Sequence, residues 1–418
     1  MVALLVWLRG ALYHRFFSFP REAAAWRELR AQVHPVPRSG WNEFQGILHS
    51  HSEISHDSEV TPQEILRVLK ETGIDFICLS DHCVDGRADF DAQWRGLHEG
   101  KLFVPGFEMR DGLMPFGARR GTVLSNSMAS ATLAKEATAS GALLFYAHPE
   151  EKRDWDCPEL NGMEIYNIHT DVKRLRAPFR KLLPDMLLNM HRYPDHVWRL
   201  VFQRPSEFLQ RWDALTQTRH ITGIAGNDCH QNTGFRLLCI SQDLLRLEDT
   251  SPKTIKEIRL NGFTRPIARL MFGPLEPGRK LFHAQVDPYE RMSRFVNTHV
   301  LAERLSESSI LDSLRAGRVF VAFDMIVDSH GFQWRAKSDS GEAVMGESHP
   351  LSASSRLYAA SPVPCRFTIL RNGATAYVVE GRDLAWAPPG PGVYRVEAEV
   401  KLRGEWVPWV YANPIWIE

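Results

Sequence analysis

From position 44 to 230, short apolar runs alternate with stretches of helical periodicity. The runs are Phe44–His49, Asp75–Ser80, Leu102–Phe107, Thr122–Leu124, Ala142–Tyr146, Met163–Tyr166 and Ile221–Ala225. Near-continuous apolar sequence over so few residues predicts strands buried on both faces. After the first run, Thr61 predicts an N-cap, Pro62 the first helical residue, Glu64 a capping box and Gly73 a left-handed C-terminal stop. Ile65, Leu66, Val68 and Leu69 fall on one face of that helix. A second helix is predicted over 130–140, ending at Gly141. Strands alternating with helices predict a parallel sheet covered on both faces. In such folds, chemistry gathers at the C-terminal ends of the strands.

Residues 173–219 interrupt the alternation with a helical insert rich in Arg, Lys, Trp, Phe and Leu. Lys173, Arg174, Arg176, Arg180, Lys181, Arg192, Arg199, Arg204, Arg211 and Arg219 oppose Asp185, Asp195, Glu207 and Asp213, a net charge of +6. The plain reading is a solvated helix face; the alternative is a basic lid over an anionic substrate. Beyond 230, helices are predicted near 251–261 and 287–304, and a helix-to-strand unit over 306–324. From 335 onward, Gly, Pro and Ser punctuate short strands such as Arg366–Leu370, Gly392–Val400 and Val407–Tyr411, the pattern of a small β-sandwich. The expected organisation is a helical extension (1–40), an α/β body (41–330) carrying the insert, and a C-terminal β-domain (331–418).

The 418 residues allow two domains, and 44% hydrophobic with 24% charged residues is ordinary globular composition. Zero net charge argues against long nucleic acid as a partner. Cys78, Cys83, Cys157, Cys229, Cys239 and Cys365 include no C-x-x-C pair, so reduced thiols in the cytoplasm are expected. The apolar N-terminus lacks a basic leader and a cleavage site, and its run Val2–Leu8 is too short to span a bilayer. An amphipathic helix packed on the body is expected there. A membrane-surface helix with Arg9, His14 and Arg15 toward headgroups is the alternative.

The chemistry sits where the runs end. H-S-H carries His49 and His51, H-D-S carries Asp57, and S-D-H carries His82. G-F-E carries Glu108, A-H-P carries His148, and N-D-C-H carries Asp228 and His230. In an extended segment, H-x-H places two imidazoles on one side, within reach of one cation. Mixed His and carboxylate donors suit zinc, manganese or iron better than calcium. Asp81 is expected to orient His82 or cap a turn, and Glu164 to support the site or the fold. His169 and Asp171 are expected at the rim; His283 and His299 read as structural.

In this order and at these strand ends, the motifs resemble the polymerase-and-histidinol-phosphatase (PHP) superfamily of metal-dependent phosphoesterases. The resemblance covers Gly46 to about Gln231. It implies a distorted seven-stranded TIM-like (β/α) barrel with two or three divalent metals at its mouth. His49, His51, Glu108 and Asp228 would be the catalytic set and hold the first metal. Glu108 would bridge to a second metal at His148, and Asp57, His82 and His230 would hold a third. Asp57 is preferred to His56 because it keeps the spacing to the Thr61–Pro62 helix start. D-P-Y (Asp287–Tyr289), N-T-H (Asn297–His299) and N-P-I (Asn413–Ile415) resemble the carbaryl-hydrolase-like branch, which carries a C-terminal β-domain. One departure stands out. Gly121-Thr122 lies where many members have Gly-His, so a weakened second metal site is expected.

The resemblance implies a hydrolase acting on a small phosphate ester. Two metals about 3.5–4 Å apart bridge a water and acidify it, so no protein nucleophile is required. Arg119, Arg120 and Arg236 follow site strands and are candidate phosphate clamps. Three alternatives stay open: a carbamate or ester hydrolase with the same metals, a nuclease on short nucleic acid, and a non-catalytic binding protein with a degenerate site.

Overall fold

The computed structural model describes residues 2–37, 40–174, 178–249 and 254–418. It is a mixed α/β structure. Strands β1 (Asn42–Ile47), β2 (Phe76–Cys78) and β3 (Lys101–Val104) pair in parallel. A second sheet runs β4 (Leu113–Phe116), β5 (Leu143–Tyr146), β6 (Gly162–Asn167) and β7 (Thr222–Gly226), with β4 antiparallel and the other three mutually parallel. The two sheets meet at isolated bridges, Gly106 to Phe116 and Ser50 to Cys229. The parallel strands form two three-strand runs joined by thin seams, in place of the single continuous sheet that a closed barrel requires. The Ser50–Cys229 seam brings the loop after β1 against the loop after β7.

The predicted strands occur within a few residues of their expected bounds, and the helix after β1 forms as its caps require. In α3 (Pro62–Thr72), Thr61 accepts from the Glu64 backbone N–H, Glu64 answers to Thr61, and Gly73 takes φ +82°. A second helix, α4, occupies Ser130–Ala139. Beyond β7, the expectations are partly overturned. The first three residues of the predicted helix at 251–261 lie outside the described residues, and Thr254–Arg259 is a strand. It belongs to a four-stranded antiparallel sheet with Gly234–Ser241, Leu244–Asp249 and Lys280–Gln285. Pairing with Leu244–Asp249 outweighs the local helical preference of a short, charged segment. Of the helix predicted over 287–304, only Tyr289–Phe295 is helical. Asn297–Ala302 becomes β8, held between β1 and β9 (Val319–Ala322), both antiparallel to it.

The C-terminal strands do not stand apart as a free sandwich. β9 pairs with Glu405–Ala412, so one sheet runs from β3 through β1, β8 and β9 into the C-terminal strands. Its longest hairpin, Arg356–Arg371 with Ala374–Trp386, turns at Asn372-Gly373, both with positive φ, the dipeptide such turns favour. Asn413 of N-P-I accepts from the Gly223 N–H at 2.8 Å and donates to the Gly223 carbonyl at 2.9 Å, tying the C-terminus to β7.

The insert carries α5 (Ile168–Arg174), α6 (Pro178–Leu188), α7 (Pro194–Arg199) and α8 (Ser206–Thr216). The N-terminal segment is a continuous helical rod: α1 (Val2–Tyr13), a π-turn at His14–Ser18, and α2 (Phe19–Arg30). It buries Phe19, Trp26 and Leu29 against the body. His14 Nδ1 lies 2.9 Å from Asp185, Asn189 donates to the Ala11 carbonyl at 2.9 Å, and Arg15 donates to the Leu188 carbonyl at 2.8 Å. Trp7, Tyr13, Phe16 and Phe17 remain exposed on the rod. Among the described residues, no helix is long and apolar enough to cross a membrane.

A buried charge network fastens the insert to the C-terminal strands. Arg395 grips Asp213 of α8 through Nε (2.5 Å) and Nη2 (2.8 Å), and reaches Glu397 at 2.8 Å. Arg204 closes the network on Glu397 at 2.5 Å. Removing Arg395 strands the buried Asp213 carboxylate, while Glu397 keeps Arg204, and costs about 3–5 kcal/mol. Arg395→Met is therefore expected to lower the urea midpoint by that equivalent. A loss under about 1 kcal/mol would show that water relieves the pair.

Candidate metal centre

The side chains at the strand ends converge on one cleft. His49 and His51 follow β1. Residues Asp81–His82 and Phe107–Glu108 pair in parallel, with His82 opposite Glu108 in register. His148 follows β5; Asp228 and His230 follow β7. His148 and Asp228 both adopt left-handed backbone, at φ 48° and 50°. For non-glycine residues that conformation is strained, and such strain gathers at functional sites.

The separations are informative. His49 Nε2 lies 3.4 Å from Glu108 Oε2 and 3.3 Å from Asp228 Oδ1. His51 Nε2 lies 3.7 and 3.5 Å from the same two oxygens. These are too long for good hydrogen bonds. Two donors each about 2.1 Å from a shared tetrahedral zinc would sit about 3.4 Å apart. His49 Nε2, His51 Nε2 and Asp228 Oδ1 are buried without a hydrogen-bond partner. Buried polar atoms are rarely left so, because each costs about 1–3 kcal/mol. The donor set therefore fits a divalent cation.

The remaining oxygens face the other way. His148 Nε2 is 3.3 Å from Glu108 Oε1 and 3.5 Å from Asp228 Oδ2, so both carboxylates straddle two groups of donors. A third group joins Asp57 Oδ2 to His82 Nε2 at 3.5 Å and His230 Nε2 at 3.2 Å, with His51 alongside. All eight expected residues are brought together, and His56 is exposed beside His82. The group of His49, His148 and Asp228 forms without Thr122, which does not line the cleft.

Supporting contacts fix the imidazoles. Fully buried Glu164 takes the His49 Nδ1–H at 2.5 Å, the His148 backbone N–H at 2.9 Å and the Asn167 amide at 2.9 Å. A hydrogen-bonded carboxylate behind a metal-ligating imidazole sets its tautomer and orientation. Gly226 permits this, since a β-carbon there would lie 2.1 Å from Glu164 Oε1. Ser55 holds His51 Nδ1 at 2.9 Å. Asp81 caps the turn after His51, accepting from Ser52 N–H and Oγ–H and from Gln93.

Charge is strongly coupled here. Burial works against protonating His148, but Glu108, Glu150 and Asp228 overcome it and raise it to about 10. Burial likewise opposes His230, and Asp228 with Asp57 raises it to about 9. Burial would raise Glu108 and Asp228, yet the surrounding histidines hold both well below the usual carboxylate range. Burial, with His230 and His49 nearby, lowers His51 to about 3. A cation held by His148 or His230 would have to displace its proton, so affinity for it should rise with pH up to about 9–10. One displaced proton gives about tenfold per pH unit. Zinc affinity measured by chelator competition is expected to be at least tenfold tighter at pH 8 than at pH 7. Equal affinities would contradict this coupling.

Other expectations are corrected. Arg236 is buried and paired with Glu248 at 2.9 Å and Glu59 at 3.0 Å, so it is no phosphate clamp. Arg119 donates to the Ala139 carbonyl, and exposed Arg120 faces Asp91 at 3.9 Å. The three arginines do not line the cleft. Several of the insert's cations are committed within the protein. Arg174 pairs with Glu207, Arg204 with Glu397, Arg219 holds the Trp155 and Cys157 carbonyls, and Arg211 covers the Trp155 ring. Arg176 lies outside the described residues.

The cations that do line the cleft are Lys152, Arg153 and Lys173. Arg153 is spent on the Ala147 and Lys152 carbonyls and Glu151. The first two follow A-H-P by a few residues, a proximity that could have flagged them. Glu150, beside His148 Nδ1 at 3.5 Å, was also missed. His169 is partly exposed, yet it lies 2.7 Å from Asp228 Oδ2 and so reaches the site from its rim. His283 lies on Lys280–Gln285, outside the cleft. A separate group, Glu43, His299 and His330, is self-satisfied at His299, which lies 2.7 Å from both Glu43 and Asp324. That arrangement is structural.

No family model matches this chain, and no curated protein does. Among solved structures, it is similar to a two-domain protein containing a predicted PHP-like metal-dependent phosphoesterase from Bacteroides vulgatus ATCC 8482. The two share 13% identity and a TM-score of 0.38, over 91% of this chain and 98% of that one. At that TM-score the reading of the site rests on its own geometry.

Proposed function

We propose that this chain is a metal-dependent hydrolase of the PHP kind, acting as a phosphoesterase on a small phosphate ester with two or three divalent cations. One observation carries the reading: buried, unpartnered His49, His51 and Asp228 atoms sit with Glu108 at the spacings donors adopt around a shared cation. Zinc, manganese or iron suits this mix of imidazole and carboxylate. Bound divalent cations supply Lewis acidity and acidify water near neutral pH.

The protein's part is placement and electrostatics. Glu164 and Ser55 lock the imidazoles, so the donors are in place before substrate arrives. His169 Nδ1 meets Asp228 and stands at the cleft rim, where it can pass a proton to a departing alkoxide. Lys152 and Lys173 offer positive charge to a phosphoryl group entering the cleft.

A panel of aryl phosphates, phosphodiesters and aryl carbamates, assayed with each metal, tests the reading. Phosphate esters are expected to turn over fastest. Carbamates alone would move the assignment to the carbaryl-hydrolase-like alternative, and inactivity with every metal and substrate would end it.

A further inference from the structure

An apolar cavity of about 170 Å³ opens beside the metal centre, sharing His169, Asp228 and His230 with the open cleft. Its far wall is made by Leu182, Met186 and Met190 of α6 and its following turn, by Val197 and Trp198 of α7, and by Met292. Protein cores close such voids, and the few that persist dry are apolar and take apolar guests. A cavity of about 150 Å³ lined by apolar side chains holds one benzene ring. The wall is held in place from outside. The N-terminal rod clamps α6, which carries Pro184 within it, through His14–Asp185, and its following turn through Asn189–Ala11. Methionine side chains let such a wall adapt to more than one shape.

We infer that the substrate is a phosphate ester whose organic group is apolar and about the size of one aromatic ring or a short alkyl chain, seated in this cavity while the phosphoryl group faces the cleft. This rests on the phosphoesterase reading and specifies its substrate class. The far wall offers a polar group such as glycerol or a sugar no partner, and the polar side chains Asn232, Thr233 and Asp287 stand on the side next to His230.

The test is calorimetric binding of non-hydrolysable methyl-, propyl-, butyl- and benzylphosphonate to the metal-loaded full-length protein, with hydrolysis of the matching phosphate esters measured in parallel. Burial predicts about fourfold tighter binding per added methylene, and benzyl at least tenfold tighter than methyl. Met186→Trp fills the cavity, and Met190→Gln makes its wall polar without adding bulk. Both are expected to flatten the series while leaving methylphosphonate affinity unchanged. A flat wild-type series, a gradient untouched in both variants, or binding of no member overturns the inference. A clear gradient with no hydrolysis leaves the cavity assignment standing and removes the phosphoesterase reading. Hydrolysis without a gradient does the reverse.

Discussion

Asp228→Asn is expected to lower phosphate-ester turnover by about 10³-fold and to cost the protein at least one bound metal, while the fold survives. The effect is large because one carboxylate serves several partners. Oδ1 lies 3.3–3.5 Å from His49 and His51, and Oδ2 lies 2.7 Å from His169 and 3.5 Å from His148. Losing a single preorganised electrostatic contact at a reacting centre costs about 10²–10³-fold, and here several donors lose their common anion together. Asparagine suits the test. It keeps the shape, and it tolerates the left-handed backbone at φ 50° better than other residues. Metal content, kcat/KM and a thermal melt on one preparation check the prediction. Near-wild-type turnover with full metal content would remove Asp228 from the site.

Glu164→Gln is expected to weaken metal affinity by about 10–100-fold although Glu164 itself is buried behind the donors. The carboxylate accepts three hydrogen bonds, from His49, the His148 backbone and Asn167. A glutamine amide turns one acceptor into a donor that faces another donor. Either His49 flips its tautomer or the His148 loop shifts, and both disturb a proposed metal ligand. Gly226 leaves no slack for relaxation, since its backbone closes over the Glu164 carboxylate. Chelator competition measures the loss directly. Unchanged affinity with a lowered melting temperature would make Glu164 a structural residue only.

The cluster was legible in the sequence because its side chains follow strand ends, and strand ends are marked by apolar runs that stop. His49, His51, Glu108, His148, Asp228 and His230 all followed that rule. The capping box at Thr61 and the stop at Gly73 were equally legible, since caps are local chemistry. What could not be read was decided by partners distant in the chain. Arg236 looked like a phosphate clamp until Glu248, twelve residues later on the neighbouring strand, claimed it. The insert looked basic because a sequence counts charges without their partners; Arg204 meets Glu397, which lies far along the chain in the C-terminal strands. Thr254–Arg259 looked helical because its pairing with Leu244–Asp249 is not written in its own residues. The Asn372-Gly373 turn is local chemistry of the same kind as the caps. The apolar cavity could not be read at all, because its wall comes from two insert helices and from Met292, a hundred residues further on.

The most direct measurement is metal content by elemental mass spectrometry on full-length protein purified without chelator or affinity metal. Two or three equivalents of zinc, manganese or iron per chain are expected, falling in Asp228→Asn. Less than about half an equivalent, unchanged after each metal is added back, would contradict the claim that these strand-end residues form a metal centre.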